Sequence, residues 1–124
     1  MKNADRRLRR LVVGDVVWRW TVRQRVEDRC LTLSLFPEGS RKRVVFVFRP
    51  GPERVVSTTY FDAGALMRLP DRSYLNVFEP GTVRRLLDAA LPSLDFSESE
   101  IDGWPYFDRV VDAASKPVDG PSAE

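Results

Sequence analysis

Residues 16–23 read VVWRWTVR, and the way their side chains alternate decides the fold. In an extended chain, successive side chains point to opposite faces. Val16, Trp18, Trp20 and Val22 then share one face, and Val17, Arg19, Thr21 and Arg23 share the other. A strand with one dry face and one wet face is the economical reading. It sends both tryptophans into a core and leaves the arginines on a sheet surface. The rival reading makes the stretch an aromatic and basic surface for nucleic acid. Single-strand binders set stacking rings and phosphate-binding cations side by side, whereas here the alternation separates them.

Working outward, Leu8 to Val13 reads as a strand that turns back through Gly14-Asp15, where glycine is free to take positive φ. The main strand extends from Val16 to Val26. Leu31, Leu33 and Leu35 alternate with Thr32 and Ser34 in the next strand, and Pro37 to Ser40 breaks it. Residues 43–49, RVVFVFR, enclose an unbroken apolar, β-prone run, the pattern of a central strand covered on both faces. Val55 to Phe61 and Tyr74 to Phe78 read as further strands. Asp62 to Arg72 reads as an irregular loop with at most one short strand. Asn76 lies inside a strand pattern and needs a hydrogen-bond partner if buried.

The period then changes. In EPGTVRRLLDAALPSL (79–94), Val83, Leu86, Leu87, Ala90 and Leu91 fall on one helical stripe. Pro80 suits the first turn, and Pro92 stops the helix. A second helix is expected from about Trp104 to Ser115. Asp102 or Gly103 would cap it, and Phe107, Val110, Val111 and Ala114 would form its stripe. Trp104 and Tyr106 would anchor it to the sheet.

Strands first and helices last predict an α+β fold. It is an antiparallel β-meander of about five or six strands with two C-terminal helices packed on one face. Residues 1–7 read as a flexible basic arm, 8–115 as one domain and 116–124 as a disordered tail. The expected core takes Val16, Trp18, Trp20 and Val22 from the main strand, and Leu33, Leu35, Phe46 and Phe48 from its neighbours. The helices add Val83, Leu86, Leu87, Leu91, Phe107 and Val110.

The chain has 124 residues, one cysteine and no histidine. Cys30 has no partner for an internal disulfide, and no Cys/His spacing suggests zinc, which suits a reducing cytosol. A serine or cysteine nucleophile would lack its usual base. Cys30 beside Arg29 could carry a lowered pKa, but a small buried residue at the start of a strand is the plainer reading. No phosphate-binding glycine loop is present. An enzyme is therefore not expected, and neither a cofactor nor a metal is. The N-terminal MKNADRRLRR resembles the charged start of a signal peptide, yet only LVV follows before Gly14. No apolar run approaches the roughly 20 residues that span a bilayer. A cytoplasmic protein without a membrane partner is expected.

Charge is the most informative feature. The net charge of +2 divides into +8 over residues 1–54 and −6 over residues 55–124. Such asymmetry marks a surface for an anionic partner, or halves that neutralise each other in the fold. Arg19, Arg23 and Arg25 share one strand face, and Arg41, Lys42 and Arg43 occupy a hairpin tip. These six are the candidate binding residues. Glu98, Glu100 and Asp102, beside Trp104 and Tyr106, form an alternative acidic partner surface.

The WRWTV strand, the β-rich middle and the helix P-x-x-V-R-x-L-L-x-x-A-L at 80–91 resemble a group of small bacterial proteins with no established activity. The likeness spans residues 11–91. It departs after the helix, where those proteins continue directly to Gly-Trp and this chain inserts residues 92–102. The resemblance implies an α+β fold and a bacterial origin. Two functions are weighed. The first is a non-catalytic protein-binding module, of which an inhibitor or immunity-type protein is one form. The second is a nucleic-acid binder using the basic sheet face and the N-terminal arm.

Overall fold

The computed structural model describes residues 8–25, 27–57, 64–94 and 100–115. The elements run β1 (Arg9–Val13), β2 (Val16–Gln24), β3 (Leu31–Pro37), β4 (Val44–Phe48), β5 (Arg54–Val56), β6 (Ala65–Arg68), β7 (Ser73–Asn76), α1 (Pro80–Ala90), β8 (Ile101–Asp102) and α2 (Trp104–Ser115). The expected α+β architecture is present, with more division in its strands than the sequence suggested. β1 to β4 form an antiparallel meander, and β8 joins its edge parallel to β4. β5, β6 and β7 form a separate three-stranded antiparallel sheet. The one short strand allowed within the irregular segment over 62–72 is present as β6. The basic arm at 1–7 and the tail at 116–124 lie outside the described residues.

Local chemistry explains the main turns. Val13 pairs with Val16, so Gly14-Asp15 is a two-residue hairpin loop, and Gly14 sits at φ 61°. Positive φ at the first central position favours glycine. Asn76 finds the partners its position requires. Its side-chain oxygen accepts the Phe78 N–H at 2.8 Å, and its amide donates to the Tyr74 hydroxyl at 3.4 Å.

The alternation of β2 divides the five-stranded sheet as its sequence implies. Trp18, Trp20 and Val22 are buried, and Arg23 is exposed. On the inner face, Trp20 aligns with Leu35 and Val44, and Val22 with Leu33 and Phe46. Every residue of β4 is buried, with β3 and β8 on either side of it. One core joins this inner face to Val83, Leu86, Leu87 and Ala90 of α1, and to Phe107, Val110 and Val111 of α2. Leu66 and Leu75 of the second sheet, with Val77 directly after β7, close the same core. Each large side chain buried there contributes about 1.5–3 kcal/mol.

Trp104 anchors α2 as expected. Its Nε1 donates to the Arg49 carbonyl at 2.9 Å, and its ring meets Phe48 edge-on at 5.4 Å. Tyr106 meets Phe46 edge-on at 5.6 Å. Gly103 permits this approach, since a Cβ there would lie 2.5 Å from the Phe48 ring.

Two expected core residues are exposed. Val16 is 43% accessible because it pairs with Val13 at the hairpin end of β2, beyond the packed helices. Leu91 is 37% accessible. Helix α1 ends at Ala90, and a 3₁₀ turn over Leu91–Ser93 takes Leu91 off the apolar stripe. Leu94 packs on the core instead.

Candidate interaction face

The outer face of the five-stranded sheet is built from the positions of β1 to β4 that alternate with the core residues. Thr21 aligns with Ser34 and Val45, and Arg23 with Thr32 and Val47. Val45, Val47 and Cys30 form a small buried apolar cluster on this side, which no helix residue joins. Cys30 is 1% accessible, and its N–H donates to the Asp28 carboxylate at 3.1 Å. That bond from Cys30, with Arg25 adding to it, holds the Asp28 carboxyl below its ordinary range.

Of the six basic candidates, three converge. Arg23, Arg25 and Arg43 line a cavity of about 180 Å³ with Thr32, Ser34, Val45 and Glu100. Strand pairing makes this convergence. Arg23 lies on the outer side of β2, Arg25 directly follows that strand, and Arg43 directly precedes β4. Long arginine stems can cover an apolar floor while their heads stay wet. The Arg25 guanidinium reaches Asp28 at 3.2 Å and lies 4.0 Å from Glu100. Its Nε is buried and has no hydrogen-bond partner among the described residues, as is the Thr21 hydroxyl. The side chains of Arg23 and Arg43 make no hydrogen bond or ion pair among the described residues.

The other three candidates stand apart. Arg19 donates from Nε to Glu38 at 2.9 Å, in a pair exposed at 37% and 44%. Arg41 and Lys42 are exposed on the β3–β4 loop and do not line the cavity. The acidic alternative divides as well. Asp102 accepts the Trp104 N–H at 3.1 Å, an Asx-type cap that starts α2. Glu100 belongs to the basic cavity itself, because the parallel pairing of β8 with β4 delivers it there. Glu98 lies outside the described residues.

A second ionic cluster escaped the sequence reading. Arg54 grips Asp108 with two hydrogen bonds, at 2.7 and 3.0 Å, and lies 5.0 Å over the Trp104 ring. Arg68 donates to Asp71 at 2.6 Å, to Asp108 at 3.1 Å and to Asp112 at 2.9 Å. The Arg68 guanidinium, with the Ser73 hydroxyl second, holds the Asp71 carboxyl far below its ordinary range. Arg54, and then Arg68, hold Asp108 low against the opposing effect of burial. The only hint in the sequence is Asp108 and Asp112 four residues apart on α2. Their partners come from β5 and β6, at a separation of 40 residues or more.

Two shallow grooves flank the helices. One of about 450 Å³ lies between α1 and α2, and one of about 270 Å³ runs beside β7; Arg85, Val110 and Ala114 line both. Among the described residues, no group of three or more His, Cys, Asp or Glu is placed to hold a metal ion. No helix among them is long and apolar enough to cross a membrane.

No protein-family model matches the chain, and no curated protein or solved structure matches it.

Proposed function

We propose that the chain is a non-catalytic binding module that holds an acidic protein partner on the outer face of its five-stranded sheet. The observation that carries this reading is the set of arginines around the cavity. Arg23 and Arg43 lack a counter-charge among the described residues, on a face that no helix packs against. Unpaired guanidinium groups around an apolar floor suit carboxylates delivered by a partner surface. Electrostatic complementarity of this kind steers encounter and fixes register. The rival nucleic-acid reading is weakened because Trp18 and Trp20 are 5% and 0% accessible, which removes them as stacking platforms.

A display library of short peptides tests this. It is panned on the full chain and counter-panned on the R23E/R43E variant. The expected result is a family of selected peptides with recurrent carboxylates that lose binding to the variant. Failure to enrich any variant-sensitive sequence overturns the proposal. So does tighter, steeply salt-dependent binding to a random single-stranded oligonucleotide.

A further inference from the structure

We infer that the cavity between Arg23, Arg25 and Arg43 is a subsite for one phosphoryl group on the partner, with Glu100 as the chain's own competitor for it. This rests on the partner-binding reading and adds the chemistry of its central contact. The cavity presents more donors than one carboxylate can use. Arg23, Arg25 and Arg43 line it together with Thr32 and Ser34. Thr32 makes only a long hydrogen bond, 3.4 Å to the Arg23 carbonyl. A phosphate monoester carries up to two negative charges and three strong acceptor oxygens, and arginine forks match them. Arg23 and Arg43, without counter-ions among the described residues, supply the matching charge.

Glu100 gives the site its second property. Its carboxylate lies 4.0 Å from the Arg25 guanidinium, at the outer limit of an ion pair, and lines the same cavity. A like charge at that position opposes an incoming anion. The entering phosphoryl group therefore displaces Glu100 from Arg25. Glu100 immediately precedes β8, which leads through Gly103 into α2.

Calorimetric titration compares four probes. They are inorganic phosphate, a short acidic peptide bearing one phosphoserine, the same peptide without phosphate, and a random single-stranded oligonucleotide. The phosphopeptide should bind most tightly. Arg23→Ala and Arg43→Ala should each weaken it about tenfold, the weight of one hydrogen bond to a charged group. Glu100→Gln should tighten it about fivefold, by removal of the like charge. Equal affinity for the two peptides overturns the subsite. Equal affinity for inorganic phosphate and the phosphopeptide makes free phosphate the ligand and overturns the partner-borne group, and preference for the oligonucleotide overturns it too. An unchanged affinity in Glu100→Gln overturns the competitor role. The two proposals fail separately. Acidic peptides selected on this face that phosphate does not compete with leave the partner reading standing without the subsite. Phosphate that perturbs the Thr32 and Ser34 amides, with no peptide selected, leaves an anion site there but overturns the partner reading and with it the partner-borne group.

Discussion

The molecule carries two arginine clusters, and they differ in what surrounds the guanidinium groups. Arg54 and Arg68 sit 27% and 20% accessible among Asp71, Asp108 and Asp112, which occupy them in a continuous network. Arg23 and Arg43 flank a cavity in which the one carboxylate, Glu100, lies nearer Arg25. The first cluster tethers the small second sheet to α2 and belongs to the fold. The second presents the exposed Arg23 and Arg43 to solvent. Residue type alone does not distinguish them; the distance to a counter-ion does.

The largest effect should come from breaking the satisfied cluster. Asp108→Ala removes the shared acceptor of Arg54 and Arg68 and leaves two partly buried cations without it. A loss of about 2 kcal/mol in urea unfolding is expected, below the cost of a fully buried pair because all three groups are partly wet. A loss no greater than that of an ordinary surface substitution would erase the contrast between the clusters.

Acid should act on the same cluster. Asp71 and Asp108 titrate below the ordinary carboxylate range in the folded protein. Their stabilisation is therefore fully present above about pH 4 and is lost as the pH falls below it, toward the folded values. Thermal melts across this range should show a steeper acid loss for the native sequence than for Asp108→Ala. Parallel curves would mean that the network contributes nothing to acid stability.

Removing the unsatisfied arginines should leave the fold nearly untouched. Arg23→Ala and Arg43→Ala should change unfolding free energy by no more than about 0.5 kcal/mol. A loss comparable to that of Asp108→Ala would make them structural and end the comparison. The smallest effect is expected at Glu53, which holds φ 61°, a left-handed backbone that glycine adopts without Cβ strain. Glu53→Gly should stabilise by about 0.5 kcal/mol, readable as a small rise in the urea midpoint.

Much of the fold was legible because periodicity is a local signal. The dry and wet faces of VVWRWTVR, the covered strand at 44–48 and both helices follow from side chains within a few positions of each other. The parts that escaped depend on distant pairing. A two-residue strand such as Ile101–Asp102 carries no pattern of its own, and its parallel pairing with β4 exists only in the tertiary structure. The sequence therefore set Glu100 in a surface opposed to the basic one, while the fold brings it beside Arg25. The split into two sheets escaped for a similar reason. β5 and β6 are only three and four residues long, and the contacts that fix them run to α2. Leu91 shows the local limit, since a proline one residue later took it off a stripe to which its spacing assigned it.

The most direct test is a nuclear magnetic resonance titration with an acidic oligoglutamate peptide, followed at every backbone amide. The account expects shifts centred on Thr21, Arg23, Thr32, Ser34 and Val45, with little change at Arg54, Arg68 and Asp108. Shifts centred on the groove at Arg85, Arg109 and Val110, or on the Arg68 cluster, would contradict it. Their absence at saturating peptide would contradict it too.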